Sequence, residues 1–253
     1  MVRSGSRPAL ADAVDEVVAA NRVLARQGVV DGFGHVSARL PGDDRHFLIS
    51  RSLAPALVDH DDVMVLDLDG RAVDGDERRP YLECHIHGEI YRVRNDVRSI
   101  VHSHAPSVLP FTISPTPLRA AFHLAAFLGA GAPVFDIAER FGATDMLVRT
   151  PPHGEALAEV LGDASVVLMR GHGFVTVGAS VPEAVVRAAY TTTNATVLQQ
   201  AMTLGATPRG LDLDEAPLAE GTNRRVVPRA WELWRSEVAA DLGGGSTAWT
   251  STP

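Results

Sequence analysis

Apolar residues recur at helical spacing near the start of the chain: Leu10, Ala13, Val14, Val17, Val18, Val23 and Leu24, ahead of Gly28. That period predicts an amphipathic helix over Pro8 to Gly28, with the glycine as its stop. The pattern then shortens. HVSARL, HFLIS and VMVLDLDG read as β-like runs, separated by PGDD and by RSLAPALVDHDD. The first two predict a hairpin. Tyr81 to Asn95 predicts a helix, and SIVHSH a strand. Leu118 to Leu128 predicts a second apolar helix, closed by GAGAP. PVFDI is a short strand, and PPHGEALAEVLGD a helix with Gly162 near its end. VVLMRGHGFVTVG predicts a hairpin turning at Gly171 to Gly173. Pro182 to Leu204 predicts a long helix, with Pro182 suited to its first turn. Pro228 to Ala240 predicts the last one.

Strands and helices interleave without a βαβ repeat, an internal repeat or a linker. The simplest reading is one α/β domain over residues 8–240, a sheet covered by helices. The chain has 253 residues, 45% of them hydrophobic, enough to bury a substantial core. The tail from Asp241, DLGGGSTAWTSTP, has the composition expected of a disordered segment.

Charge and cysteine content narrow the function classes. The net charge is −8, and Lys and Arg are scattered, which argues against a nucleic-acid surface. No apolar run has the length of a membrane span, and the start does not resemble a signal peptide. Cys84 is the one cysteine, so no intrachain disulfide can form. A soluble, cytoplasmic protein is expected.

The candidate chemistry lies in the histidines. Side chains two apart on a strand share a face, so His102 and His104 of SIVHSH point one way and Ser103 the other. Such a face could present two imidazoles to one metal ion, or simply hold two hydrogen-bonded residues at a strand end. His172, between two glycines after VVLM, could project from a sheet edge into a cleft, or sit in solvent on a turn. Glu83 would lie in the first turn of its helix, where the helix N-terminus stabilises a carboxylate without any function. His87, four residues on, reads as a packed or hydrogen-bonded helix histidine.

Together these residues resemble the class II aldolase/adducin family, over about Ala11 to Leu204. The elements come in family order: GHVSAR (Gly34 to Arg39), ISRS (Ile49 to Ser52), Glu83, VHSHAP (Val101 to Pro106) and RGHG (Arg170 to Gly173). The resemblance implies a three-layer α/β/α fold with a central mixed, largely antiparallel sheet. It implies one divalent metal ion (Zn, Mn, Fe or Co) held by His102, His104 and His172, with Glu83 as the acid/base residue. It also implies a homo-oligomer, commonly a tetramer, with the active site between subunits.

Three departures from the sugar-phosphate aldolases of that family bear on the substrate. Gly34-His35 stands where those enzymes commonly carry Gly-Asn. Tyr81 and Leu82 stand where they place small hydroxyl residues to hold phosphate, and a leucine donates no hydrogen bond. SRSLAPALV replaces a Gly- and Thr-rich phosphate loop and offers Arg51, whose guanidinium matches a carboxylate. These departures favour a flat, carboxylated substrate. GHVSAR with SRSLAP looks closest to the branch acting on hydroxylated aromatic or heteroaromatic carboxylates, which includes decarboxylases of 3,4-dihydroxyphthalate and of hydroxypyridine dicarboxylates. The resemblance therefore implies a metal-dependent carbon–carbon lyase, a decarboxylase of an ortho-hydroxy aromatic carboxylate. Glu83 and His35 would be catalytic. Arg51, Ser37, Ser50 and His123 would contact substrate, His123 lying near where aldolases carry an interfacial tyrosine. Phe122, Leu124 and Phe127 could be apolar walls or ordinary helix core. The competing readings are an aldolase on a sugar-phosphate or non-phosphorylated substrate, an Fe(II)-dependent oxygenase of the same fold, and a non-catalytic adducin-like scaffold.

Overall fold

Strand alternation and helical period sort the apolar side chains into two cores, one on each face of a sheet. The structure, a computed structural model, describes residues 7–73, 75–205 and 207–242. The strands are β1 (His35–Leu40), β2 (Asp43–Ser50), β3 (Val63–Asp67), β4 (Ser99–Ser103), β5 (Val134–Phe135), β6 (Val166–Met169) and β7 (Gly173–Gly178). They form one sheet in the order β3-β2-β1-β4-β7-β6-β5. Only β5 and β6 pair in parallel, so the sheet is mixed and largely antiparallel, as expected.

On one face lie α1 (Arg7–Arg26), α6 (Val181–Thr203) and α7 (Glu215–Leu242). Val17, Leu24, Val185, Leu198 and Trp231 from these helices pack with Val36, Val101, Leu168 and Phe174 from the strands. The other face carries α2 (Cys84–Val93) and α5 (Pro151–Leu161). There Ile86, Ile90, Leu157 and Leu161 meet Phe47, Ile49, Ile100, Val167 and Val175. Each fully buried aliphatic or aromatic side chain of this kind contributes about 1.5–3 kcal/mol. Two short helices, α3 (Leu109–Thr112) and α4 (Ile137–Phe141), lie in the connections. No helix of the described residues is long and apolar enough to cross a membrane.

Three elements depart from the expected pattern. The segment Leu118 to Leu128 is not an α-helix. Its first part is extended, because its backbone groups are engaged elsewhere: Leu118 C=O accepts from Ala132 N, and the Asn194 side-chain amide bonds Arg119 C=O and Ala121 N. Only a 3₁₀ turn, His123–Leu128, follows, kinked at Ala125. The last helix starts at Glu215, well before Pro228, which lies inside it. Ala216, Trp231 and Val238 are buried on both sides of that proline, so packing carries the helix through it. The helix expected from Tyr81 begins at Cys84, and Glu83 occupies its N-cap position with a non-helical backbone. The tail expected to be disordered lies outside the described residues from 243 on; residues 241 and 242 continue α7.

This topology assembles one end of the sheet. β4 is flanked by β1 and β7, both antiparallel to it. Hence the start of β1 and the start of β7 both meet the end of β4: His35 pairs with His102, and Ser103 with Phe174. Gly173 permits the close approach. A Cβ there would lie 2.1 Å from the Ser103 carbonyl oxygen. Gly34, at φ +93°, would bring a Cβ to 2.7 Å from Val30 and 2.9 Å from the His102 carbonyl.

Candidate metal centre and substrate cleft

His102, the last but one residue of β4, is fully buried. Its Nδ1 donates to the Phe174 carbonyl at 3.1 Å. His172, in the β6–β7 turn, donates from Nδ1 to the Met146 carbonyl at 2.9 Å. A carbonyl only accepts, so in each neutral ring the hydrogen is on Nδ1 and Nε2 keeps its lone pair. His104 lies just past β4. Its Nε2 is 2.9 Å from His102 Nε2 and 3.0 Å from His172 Nε2. Glu83 Oε2 lies 3.5 Å from His102 Nε2 and 3.4 Å from His172 Nε2, while Oε1 accepts from Val148 N at 2.9 Å.

Ligand atoms of all four residues lie within 4.8 Å of one another. Lone pairs brought this close repel unless a proton or a cation sits among them. Three imidazole nitrogens and one carboxylate oxygen are a donor set that suits a divalent transition ion or zinc. The outer bonds to Phe174 and Met146 aim the rings, as second-shell carbonyls do in metal sites. The residues present therefore fit a metal ion.

Burial, with the neighbouring His102 and His172 rings adding to it, pushes His104 down to about 3, so it is a neutral donor at ordinary pH. Burial alone would raise Glu83. The neighbouring His102 and His172 rings outweigh it and hold the carboxyl well below its ordinary range. Burial would likewise lower His172, but the adjacent Glu83 carboxylate raises it.

A cleft of about 450 Å³ opens over this cluster, within the range of small-molecule sites. Phe33, Leu82 and Leu147 give it apolar walls, and His35, Glu83 and His104 polar ones. Phe33 and Leu82 are 71% and 63% exposed, an apolar rim open to a ligand. Tyr81 lines the cleft too, but its hydroxyl is engaged by the Leu53 carbonyl and Ser50 Oγ.

The structure thus gathers Glu83, His102, His104, His172 and His35. Four residues expected to touch substrate stand elsewhere. Ser37 is fully buried behind the cleft, bonded to His87 Nδ1 and Tyr91 Oη. Ser50 is buried against Tyr81. Arg51 turns away, its Nε 2.7 Å from Asp62 Oδ1. His123 is exposed at the head of the 3₁₀ turn. None of the four lines the cleft. The reason is position: Ser37 shares its strand face with His35 but lies two residues farther from the sheet end, under α2, Ser50 is held by the Tyr81 hydroxyl, and a nearby carboxylate captures Arg51. Leu124 and Phe127 line a separate cavity against α6 and α7, and Phe122 packs on the adjoining core. His87 is a hydrogen-bonded helix histidine, as its position suggested.

Sequence reading missed the loop before α5. Met146, at φ 70°, aims its carbonyl at His172, and Val148 N holds Glu83. Nothing in GATDMLVRT signals this, because both contacts are made by backbone atoms.

At the end of a mixed α/β sheet, three histidines and one carboxylate thus form a cluster that could hold a metal ion, Glu83 and His102 buried and His104 and His172 part-buried. Residues 15–198 match the family described as Class II Aldolase and Adducin N-terminal domain, and the chain belongs to that family. It is 39% identical over 245 residues to the decarboxylase tropJ of Talaromyces stipitatus, covering 88% of this chain and 91% of that protein. To the 3,4-dihydroxyphthalate decarboxylase of Arthrobacter keyseri it is 30% identical over 244 residues, covering 90% and 94%. Among solved structures, an aldolase II superfamily protein from Pseudomonas syringae superposes with a TM-score of 0.76 at 23% identity, over 95% of this chain and 97% of that one. That likeness shows the fold.

Proposed function

We propose that this protein is a metal-dependent carbon–carbon lyase that decarboxylates an ortho-hydroxy aromatic carboxylate of the 3,4-dihydroxyphthalate kind, in the breakdown of aromatic compounds. One observation carries the reading: Glu83 Oε2 lies within 3.5 Å of two of the three clustered imidazoles, beside a cleft with an apolar rim. The likeness to two decarboxylases over nearly their whole length supports it.

His102, His104 and His172 would hold the divalent ion, which supplies positive charge to adjacent carboxylate and phenol oxygens and draws electron density from the scissile bond. The chain supplies the rest. Phe33, Leu82 and Leu147 cover the flat ring and limit water. Leu82 offers no donor to a phosphate, and the hydroxyl of Tyr81 is already engaged. Glu83, ionised and held at Oε1 by Val148, accepts the phenolic proton and passes it to the ring carbon that bears the carboxylate. His35 donates a hydrogen bond to the reacting acid from the cleft wall. The carbon–carbon bond then breaks, its electron pair returns through the ring to the phenolic oxygen, CO2 leaves, and the phenolate takes its proton from solvent. The reading includes assembly into a homotetramer, measurable by sedimentation.

The test is anaerobic incubation of the metal-loaded protein with a panel of ortho-hydroxy aromatic carboxylates and sugar phosphates. CO2 release from an aromatic acid is expected. Faster cleavage of a sugar phosphate would establish the aldolase alternative, and turnover only with Fe(II) and O2 the oxygenase. Inertness toward every compound would reject the lyase reading.

A further inference from the structure

Behind the cleft, four side chains form a continuous hydrogen-bonded file. Tyr91 Oη is 2.8 Å from Ser37 Oγ, Ser37 Oγ is 2.6 Å from His87 Nδ1, and His87 Nε2 is 2.7 Å from His35 Nδ1. Tyr91, Ser37 and His87 are 1% exposed or less. Of the four, only His35 lines the cleft. The Phe47 ring stacks on His87, and the Arg39 guanidinium lies 4.6 Å over the Tyr91 ring, so neither can swing out.

The direction of the file follows from counting hydrogens. Tyr91 has one hydroxyl hydrogen, and Ser37 Oγ is its one partner among the described residues. Tyr91 therefore donates to Ser37. Ser37 in turn has one hydrogen, and the remaining acceptor is His87 Nδ1. A neutral His87 with an accepting Nδ1 carries its hydrogen on Nε2 and donates to His35 Nδ1. A neutral His35 with an accepting Nδ1 likewise carries its hydrogen on Nε2, for which no hydrogen-bond partner stands among the described residues. Any other direction leaves a hydroxyl hydrogen of Ser37 or Tyr91 buried without an acceptor, which costs the desolvation of that group.

We infer that Tyr91, Ser37 and His87 are positioning residues that lock His35 in its Nε2–H tautomer, so that its free nitrogen meets the cleft as a hydrogen donor and never as a base. The role toward substrate rests on the proposed decarboxylase reading; the tautomer does not. A donor there selects for an oxyanion, a carboxylate or phenolate. The task of accepting a proton then falls to Glu83 alone. The file also gives Ser37 a use that its buried place would otherwise leave unexplained.

Neutron diffraction from D2O-exchanged crystals of the zinc-loaded full chain places the hydrogens directly. Deuterium is expected on Nε2 of His35 and of His87, with the Ser37 deuteroxyl aimed at His87 Nδ1. Deuterium on Nδ1 of His35 overturns the inference, whatever the protein turns over. The positioning role is read kinetically. Ser37→Ala removes the donor to His87 and should lower kcat on the order of tenfold, with KM and metal content unchanged. Ser37→Thr, which keeps the hydroxyl, should restore it. Tyr91→Phe leaves Ser37 still donating to His87 and should lower kcat less than Ser37→Ala does. Full kcat in Ser37→Ala refutes the positioning role. Loss of metal in that variant would equally refute it, since the effect would then be structural.

Discussion

Under α6 and α7, buried charges meet their opposites; at the end of β4, buried acceptors meet acceptors. Arg187, 5% exposed, lies 2.7 Å from Glu183 and 2.6 Å from Glu220, and Arg224 Nε is 3.3 and 3.2 Å from the same two carboxylates. Two cations and two anions balance, and Arg187 also holds the Val177 carbonyl. Those charges pair within the fold. In the other cluster, three imidazole nitrogens and a carboxylate converge, a donor set that could hold a metal ion. Burying polar groups is tolerable only with partners. A cluster of opposite charges ties elements together, whereas a cluster of acceptors suits a cation.

The comparison breaks most visibly at the histidines. His102→Ala or His172→Ala should reduce bound metal to near zero by elemental analysis, with the far-UV circular dichroism of the fold retained. Full occupancy in either variant would abolish the distinction. Next comes Glu83→Gln, which should keep the metal and lower kcat by about 10²–10⁴-fold, the usual weight of a positioned acid/base group. On the other side, Arg187→Met leaves the buried Glu183 with only the more exposed Arg224 as its cation. It should cost about 3–5 kcal/mol in urea unfolding while metal content per folded chain stays the same.

Acid should act through the core histidine. Burial lowers His87 to about 3 in the folded chain, against an ordinary value of 6.5. The unfolded chain then binds the extra proton between those values, so stability is full above about pH 6.5 and declines toward pH 3. The slope from this one group is at most about 1.4 kcal/mol per pH unit. Urea midpoints measured from pH 7 down to pH 4 should fall, and less steeply in His87→Gln. The smallest effect belongs to Arg51→Ala. Its half-exposed pair with Asp62 is worth less than about 1 kcal/mol, and KM should move less than about threefold because the side chain does not line the cleft. A larger rise in KM would show that Arg51 leaves Asp62 for substrate.

Much of the site was legible because its signals are local. The two-residue spacing of His102 and His104 needs only the strand period, and His172 between glycines needs only a tight turn. Gly34, Gly173 and the hairpins were equally readable. The extended course of Leu118 to Ala121 was not, since Asn194, more than seventy residues away, engages its backbone. Nor was the helix through Pro228, which packing sustains against local preference. Ser37, Ser50 and Arg51 were placed by motif, but motif is silent on which neighbour a side chain will find. Met146 and Val148 escaped notice because the backbone atoms they contribute are common to every residue.

The amino-acid order by itself determined which side chains could bind a cation, which face of a strand or turn each would occupy, and the family to which the chain belongs. Tertiary structure alone decided that β4 lies between β1 and β7 in the register that sets His35 opposite His102 and brings His172 to His104. It also decided that Ser37 faces inward to His87 while His35, two residues earlier, reaches the cleft. The physical reason is range. Backbone period fixes direction within a few residues, whereas distance between strands depends on hydrogen-bond register and packing among residues far apart in the chain.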